Sequence, residues 1–326
     1  MLKKIKFWLE CSRWYALPMS IFSWFIVFSY ALQNDGNVLY GFIALIGICF
    51  AHLGTNLLDD FCDFHTLEKR IDENNNIELP NTQRGKCRYI IEKKVKLSEV
   101  LTVVGIYTLF ALLVGVFFCF AVDKSVSIFI LIGAIIVLFY SVLSNLRMSE
   151  LVVGIAFGPL MFGGVYYVMT GKITSDVFIL AIPSMLFTIN LLFTDMVLDK
   201  EIDKCEGKKT FVGMFKSDEG ILNFQKGLLT IGYCSVILLP IFDIADWEVF
   251  LTALTIPLAV DLYNSMKLYS KNPNSVPITK KWYHFPFEEW EDIKENRSQT
   301  FMYRMYQARN LMIYFSIILG TTIWLG

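Results

Sequence analysis

Charge is scarce in this chain of 326 residues. Asp, Glu, Lys and Arg make up 18% of it, where a soluble protein carries about 25%. Neither sign dominates. The 29 Lys and Arg stand against 30 Asp and Glu, which excludes a basic nucleic-acid binder and a strongly charged disordered chain. Histidine is rarer still. His52, His65 and His284 form no H-x-x-H or H-x-x-x-H pair, so no histidine metal site is indicated. The seven cysteines are scattered, odd in number and without a C-x-x-C spacing, which excludes a disulfide scaffold and a zinc site. There is no low-complexity segment and no clean repeat.

What fills the chain instead is apolar. Hydrophobic residues make up 55% and aromatics 15%, and the mean hydropathy is +0.51. A membrane-spanning helix needs about 20 mostly apolar residues. Nine stretches qualify: 15–32, 39–58, 98–122, 126–144, 151–170, 177–198, 220–242, 249–270 and 308–325. The seventh and eighth carry polar residues (Gln225, Lys226, Asp261, Asn264), so their edges are the least defined. The expected fold is all-α, a polytopic membrane protein with nine transmembrane helices in a single domain over 1–326. Long connections cover 59–97, 199–219 and 271–307.

Basic residues orient these spans. Alternate connections hold 27 of the 29, and the other side holds only Lys124 and Lys172. The positive-inside rule then places the N-terminus and the long loops in the cytoplasm. The first apolar run, at about 18 residues, is longer than a signal-peptide core of roughly 7–15, so the reading keeps it as an uncleaved span.

Two spans end in acid. The second closes on Gly54-Thr55-Asn56-Leu57-Leu58-Asp59-Asp60-Phe61-Cys62-Asp63. At about 100° per residue, Asn56, Asp59, Asp60 and Asp63 share one helix face. The sixth closes on Asp195-Met196-Val197-Leu198-Asp199-Lys200-Glu201-Ile202-Asp203, where Asp195, Asp199 and Asp203 recur every four residues. Carboxylates this close repel unless cations stand between them. Oxygen-only ligands favour a hard ion, and Mg²⁺ takes one or two carboxylates together with phosphate oxygens and water. Arg13, Arg84, Lys208 and Lys209 are the basic residues on the same side that would neutralise a diphosphate. Either cluster alone also reads as ordinary interfacial carboxylates. Two clusters with the same spacing, each beginning inside an apolar span, point to function.

On these residues the chain resembles the UbiA superfamily of membrane prenyltransferases. Asn56, Asp60 and Asp63 match its N-x-x-x-D-x-x-D element, in the spacing of the menaquinone-type branch. Asp199 and Asp203 match its D-x-x-x-D element, and Gly207-Lys208-Lys209-Thr210 matches the G-K-x-T that follows. Tyr140-Ser141, the stretch from Glu150 to Gly158-Pro159, Arg13 and Arg84 also look like family elements. The tail over 286–310, with Glu289-Trp290 and Ala308-Arg309-Asn310, looks like the extended last connection of some menaquinone-branch members. Two positions depart: Asp195 stands where the family often has Asn, and Leu198 where that branch often has Arg.

The resemblance implies a bundle around a central cavity open to the cytoplasmic face and to lipid. It implies Mg²⁺-dependent transfer of an isoprenyl group from a prenyl diphosphate to an aromatic acceptor, dihydroxynaphthoate for the menaquinone branch, in a bacterial cell membrane. Asn56, Asp59, Asp60, Asp63, Asp195, Asp199 and Asp203 would surround metal. Arg13, Arg84, Lys208 and Lys209 would hold diphosphate, and Tyr140 would shelter the allylic cation. Another phenolic acceptor, or cyclisation without an acceptor, is the alternative within the fold. A divalent-cation transporter and a scaffold are the alternatives outside it.

Smaller expectations complete the reading. His52, one turn before Asn56, reads as a helix-packing residue ahead of a pocket residue. Asp261 and Asn264 serve either a pocket or helix association. Gly54, Gly158, Gly163 and Gly164 permit close helix packing. The acidic stretch 288–295 reads as an amphipathic surface helix or as part of a lid.

Overall fold

The computed structural model describes residues 2–73, 87–205, 209–272, 275, 281–284, 286 and 300–326. All regular structure among them is helical. The chain divides into two compact units, Met1–Ile21 with Val38–Ser141, and Phe22–Asn37 with Val142–Gly326.

The first unit holds α1 (Leu2–Cys11), the start of α2 (Pro18–Gln33), α3 (Val38–Glu73), the short α4 (Arg88–Ile91), α5 (Leu97–Ala121) and most of α6 (Val126–Asn145). The 36-residue α3 is roughly 54 Å long at 1.5 Å per residue, so it outruns a hydrocarbon core of about 30 Å. Its acidic end therefore continues as helix where the apolar run stops. The axis of the unit is α3 against α5. Gly47 and Gly54 allow their approach: a Cβ at Gly47 would stand 2.8 Å from Val114 Cγ1, and one at Gly54 3.2 Å from Tyr107 Cβ. Below the acidic end, Trp8, Leu57, Tyr89, Ile90, Val100 and Val104 form a buried cluster, which ties α1 and α4 to the α3–α5 pair.

The second unit is built around α9 (Ser175–Cys205). It packs against α7 (Ser149–Ile155), the π-helical segment Ala156–Leu160, α8 (Met161–Thr170), α10 (Asp218–Ser235) and the last helix, α13 (Thr300–Leu325). Lipid-side helices can be apolar all round. The inner helix α9 instead buries Ser184, Thr188, Asn190 and Thr194.

Among the described residues, eight helices are long and apolar enough to cross a membrane, and Val126–Tyr140 is a shorter apolar stretch within α6. All nine expected spans thus correspond to helices, and the chain is a polytopic membrane protein. Their ends differ from the sequence reading where proline or glycine intervenes. The fifth is broken at Gly158 (φ −98°, ψ −111°), next to Pro159, because proline removes a ladder hydrogen bond. The seventh stops at Ser235 and resumes as α11 (Leu238–Ile241), which contains Pro240. The eighth begins as a 3₁₀ turn, Trp247–Thr255, and becomes α12 (Ile256–Lys271) with proline in its first turn, where its missing N–H is harmless. The ninth starts at Thr300, well before its apolar run.

Candidate active site

The acidic end of α3 is held by protein cations and amides. Arg13 follows α1 in a left-handed backbone conformation (φ 56°), which an L-residue adopts at a cost of about 1–3 kcal/mol. That turn aims its guanidinium at α3. One terminal nitrogen donates to the Asn56 carbonyl at 3.0 Å, to Asp59 at 3.4 Å and, in a short ion pair, to Asp60. Asp60 is fully buried. Its second oxygen accepts from the Cys87 backbone N–H at 3.3 Å, and Cys87 is also left-handed (φ 58°). Arg13 and Cys87 thus both carry backbone strain, which recurs at functional sites.

Burial opposes the charge on Arg13. The carboxylates of Asp60 and Asp59 outweigh burial and hold its pKa above the ordinary arginine value. Cys11, two residues before Arg13, is pushed up to about 12 by burial and then by Asp60, so it stays a thiol. Asn56 donates from Nδ2 to the Ser12 carbonyl at 2.9 Å, and Asp63 is half-buried one turn beyond Asp59. His52 pairs through Nδ1 with the Ser20 hydroxyl at 2.7 Å, which joins α2 to α3 as the packing reading expected. Tyr140 is half-buried on α6.

The acidic end of α9 lies in the second unit. Asp195, Asp199 and Asp203 are all half-buried and recur at one helical turn. Lys200 donates to Asp218, in the first turn of α10, at 2.8 Å. The Tyr269 hydroxyl donates to the Leu198 carbonyl at 3.1 Å, which ties α12 to this end of α9. Lys209 is exposed just beyond. Arg84 and Lys208 lie outside the described residues, as does the stretch 288–295. Among the described residues, no group of three His, Cys, Asp or Glu side chains is gathered closely enough to hold a metal ion by itself.

A third network was not legible in the sequence. Asp261 on α12 accepts two hydrogen bonds from Lys281 Nζ (2.8 and 2.9 Å), one from the Tyr283 hydroxyl (2.7 Å) and one from His284 Nε2 (2.9 Å). The Lys281 N–H meets His284 Nδ1 at 3.5 Å. That arrangement makes His284 a neutral ring with its proton on Nε2. Burial depresses the His284 pKa and outweighs the pull of Asp261, while hydrogen bonds to Asp261 and Tyr283 raise that of Lys281. Asn310 Nδ2 then donates to the His284 and Pro286 carbonyls at 2.7 and 2.8 Å. Arg304 donates to the Ser265 and Ser275 carbonyls, both at 3.0 Å. Asp261 and the Ala308-Arg309-Asn310 element therefore fasten described parts of the long last connection to α12 and α13. The only sequence signal was an acid inside an apolar span, because its partners lie 20 or more residues away.

The donors at both acidic ends are carboxylate and amide oxygens. That chemistry fits a hard divalent ion, with Asp60 already engaged by Arg13 and Cys87. Among the described residues, Arg13 Nε is buried without an acceptor, a donor that an anion would satisfy.

Residues 17–285 match the model of the UbiA prenyltransferase family. No curated protein matches the chain by sequence. Solved structures share its fold. A structure of a digeranylgeranylglyceryl phosphate synthase has a TM-score of 0.56 at 17% identity and covers 98% of this chain and 99% of that one. An apo UbiA homologue from Aeropyrum pernix K1 has a TM-score of 0.59 at 14% identity, covering 94% and 97%. A UbiA homologue from Archaeoglobus fulgidus, bound to GPP and Mg²⁺, has a TM-score of 0.58 at 13% identity, covering 98% and 99%.

Proposed function

The chain belongs to the UbiA prenyltransferase family, and from that premise we propose that it joins an isoprenyl diphosphate to an aromatic acceptor, dihydroxynaphthoate, in menaquinone biosynthesis. The observation that carries the reading is the pair of acidic helix ends, Asn56/Asp59/Asp63 on α3 and Asp195/Asp199/Asp203 on α9. Both offer oxygen donors alone, and both stand where apolar helices meet polar connections. The Archaeoglobus relative, whose structure holds GPP and Mg²⁺, supports a diphosphate and a divalent ion as ligands here. The menaquinone assignment rests on the N-x-x-x-D-x-x-D spacing. The cytoplasmic placement of the site rests on the distribution of basic residues.

In this reading Asn56, Asp59, Asp63, Asp195, Asp199 and Asp203 hold Mg²⁺, which supplies charge neutralisation for the departing diphosphate when bound. Asp60 keeps Arg13 charged and in place beside Asn56 and Asp59, and the Arg13 Nε–H is directed to a phosphate oxygen. Lys208, Lys209 and Arg84 add positive charge from the connections. Tyr140 presents a π-face to the allylic carbon as the C–O bond breaks and the electron pair leaves with diphosphate. The acceptor ring carbon bonds to that carbon and then loses its proton, or CO₂ where it carries a carboxylate.

Purified protein in detergent, given Mg²⁺, a radiolabelled prenyl diphosphate and a panel of aromatic acids, tests this. Product with dihydroxynaphthoate, abolished by EDTA and by Asp199→Ala, is the expected result. Product with a different acid reassigns the acceptor, and diphosphate release without acceptor indicates cyclisation. Undiminished turnover in both Asp199→Ala and Asp203→Ala overturns the proposal.

A further inference from the structure

The second unit contains a cavity of about 460 Å³, within the ordinary range of ligand pockets, roughly 300–1,000 Å³. Its wall is aromatic on one side. Phe193 on α9, Phe211 in the connection and Phe224 on α10 line it, with centroids 4.9 Å (193–224), 5.2 Å (211–224) and 6.4 Å (193–211) apart. Ile189, Leu151 and Leu228 continue the apolar surface. Into this lining the fold places one acid and one base, Glu150 and Arg147.

Among the described residues, Glu150 Oε1 has no hydrogen-bond partner and Arg147 has no ion pair. Glu150 is 5% exposed. Its Oε2 accepts from the Ser149 hydroxyl at 3.1 Å, while its Oε1 is buried without a hydrogen-bond partner. A carboxylate oxygen stranded against apolar groups is costly. Arg147 is exposed, and its backbone is left-handed (φ 64°). Among the described residues it forms no ion pair, with Glu150 or with any other acid. A ligand that fits must therefore bring a cationic donor for Glu150, an anion for Arg147 and an apolar body for the rest. The phenylalanine faces favour the same cation.

The depth of the site narrows the class. Ser149 opens the apolar span Ser149–Thr170, so Glu150 and Arg147 stand at the end of a membrane-spanning segment, where head groups lie. Leu151 and Ile155 are exposed on the flank of the same helix, 49% and 38%. They offer a path for acyl chains out of a cavity that accommodates a head group.

We propose that this cavity binds one phospholipid whose head group carries a primary ammonium beside its phosphate. The ammonium donates to Glu150 Oε1 against the phenylalanine faces, the phosphate lies on Arg147, and the chains run along α7. Its lining includes none of the aspartates of the acidic motifs, and its test does not depend on prenyl transfer.

Delipidated protein is titrated in detergent with phosphatidylethanolamine, phosphatidylcholine, phosphatidylglycerol or chain-free glycerophosphoethanolamine, and bound lipid is counted by native mass spectrometry. The expected result is a preference for phosphatidylethanolamine of about tenfold or more, the scale of one charge-assisted hydrogen bond, with no binding of the chain-free compound. Glu150→Gln, which keeps the shape and the Ser149 contact, brings phosphatidylethanolamine and phosphatidylglycerol to about equal binding. Leu228→Phe, which fills the cavity without touching a charge, lowers phosphatidylethanolamine binding at an unchanged melting temperature. Equal binding of the three lipids to the unaltered protein, or a preference that survives both substitutions, overturns the proposal.

Discussion

At the end of α3, Arg13 reaches Asp59 and Asp60, and the Cys87 N–H closes on Asp60 from another element. At the end of α9, Lys200 lies within the acidic motif itself, yet it is directed to Asp218 on α10. Both ends are written with carboxylates at helical spacing. One is built into the protein's own ion pairing. The other stands on the central helix of the second unit, with its internal base committed elsewhere. In the proposed reading Asp60 positions a guanidinium beside Asp59 and Asp63, while those two and the α9 carboxylates Asp199 and Asp203 are proposed to hold metal.

The sharpest way to break that contrast is to neutralise one carboxylate at each end. Asp203→Ala is expected to lower turnover by about 100-fold or more, the scale of removing one group that stabilises developing charge. Its melting temperature in Mg²⁺-free buffer should stay near that of the unaltered protein. Asp60→Asn is expected to lower both. An Asp60→Asn protein that loses turnover at an unchanged melting temperature would make the two ends equivalent and end the distinction.

Arg13→Gln removes the cation and leaves Asp60 buried. Breaking such a pair from one side costs about 3–5 kcal/mol, read by thermal or denaturant unfolding in detergent. Arg13→Gln combined with Asp60→Asn should recover at least half of that loss, since no buried charge then remains. Additive losses would show that the pair is not coupled.

Asp261 offers a third acid of the α3 kind, with Lys281 as its cation. Its neighbour His284 supplies a pH dependence. Burial holds the folded pKa of His284 below its ordinary 6.5, so the unfastened segment binds more protons than the fastened one below that value. Stability from this contact is complete above about pH 6.5 and declines as pH falls through the folded pKa. Hydrogen exchange at 281–284, corrected for intrinsic rate, should accelerate between pH 7 and pH 5. Slower exchange on acidification would mean that the ring pairs with Asp261 as a cation instead.

The smallest effect is expected at Lys200. Its partner Asp218 is about half exposed, and such surface pairs contribute about 0–1 kcal/mol. Lys200→Met should shift unfolding by no more than that and leave turnover within about threefold. A larger loss of turnover would place Lys200 at the diphosphate and make the α9 end more like the α3 end.

Much of the site was readable because its signals are local. The apolar runs, the helical period that aligns Asp59 with Asp63 and Asp199 with Asp203, and the acids at the ends of spans all depend on residues a few positions apart. The partner of Asp60 was not readable in that way. Arg13 and Cys87 meet it from 47 and 27 residues away, and each does so from a left-handed backbone that no local pattern announces. The fastening of 281–284 onto Asp261 and the stranded oxygen of Glu150 are likewise products of long-range packing.

Sequence alone determined that this chain crosses the membrane as helices and that two of them end in acid, because hydropathy and helical period are properties of single segments. It did not determine which helices lie inside. The spans of α5 and α9 have mean hydropathies of 2.5 and 2.1, yet 11% of the first and 67% of the second are buried. Lipid tails are as apolar as a helix interior, so hydropathy does not separate the two environments. Only the tertiary structure, which surrounds the polar residues of α9 with other helices, decided that it is the inner one.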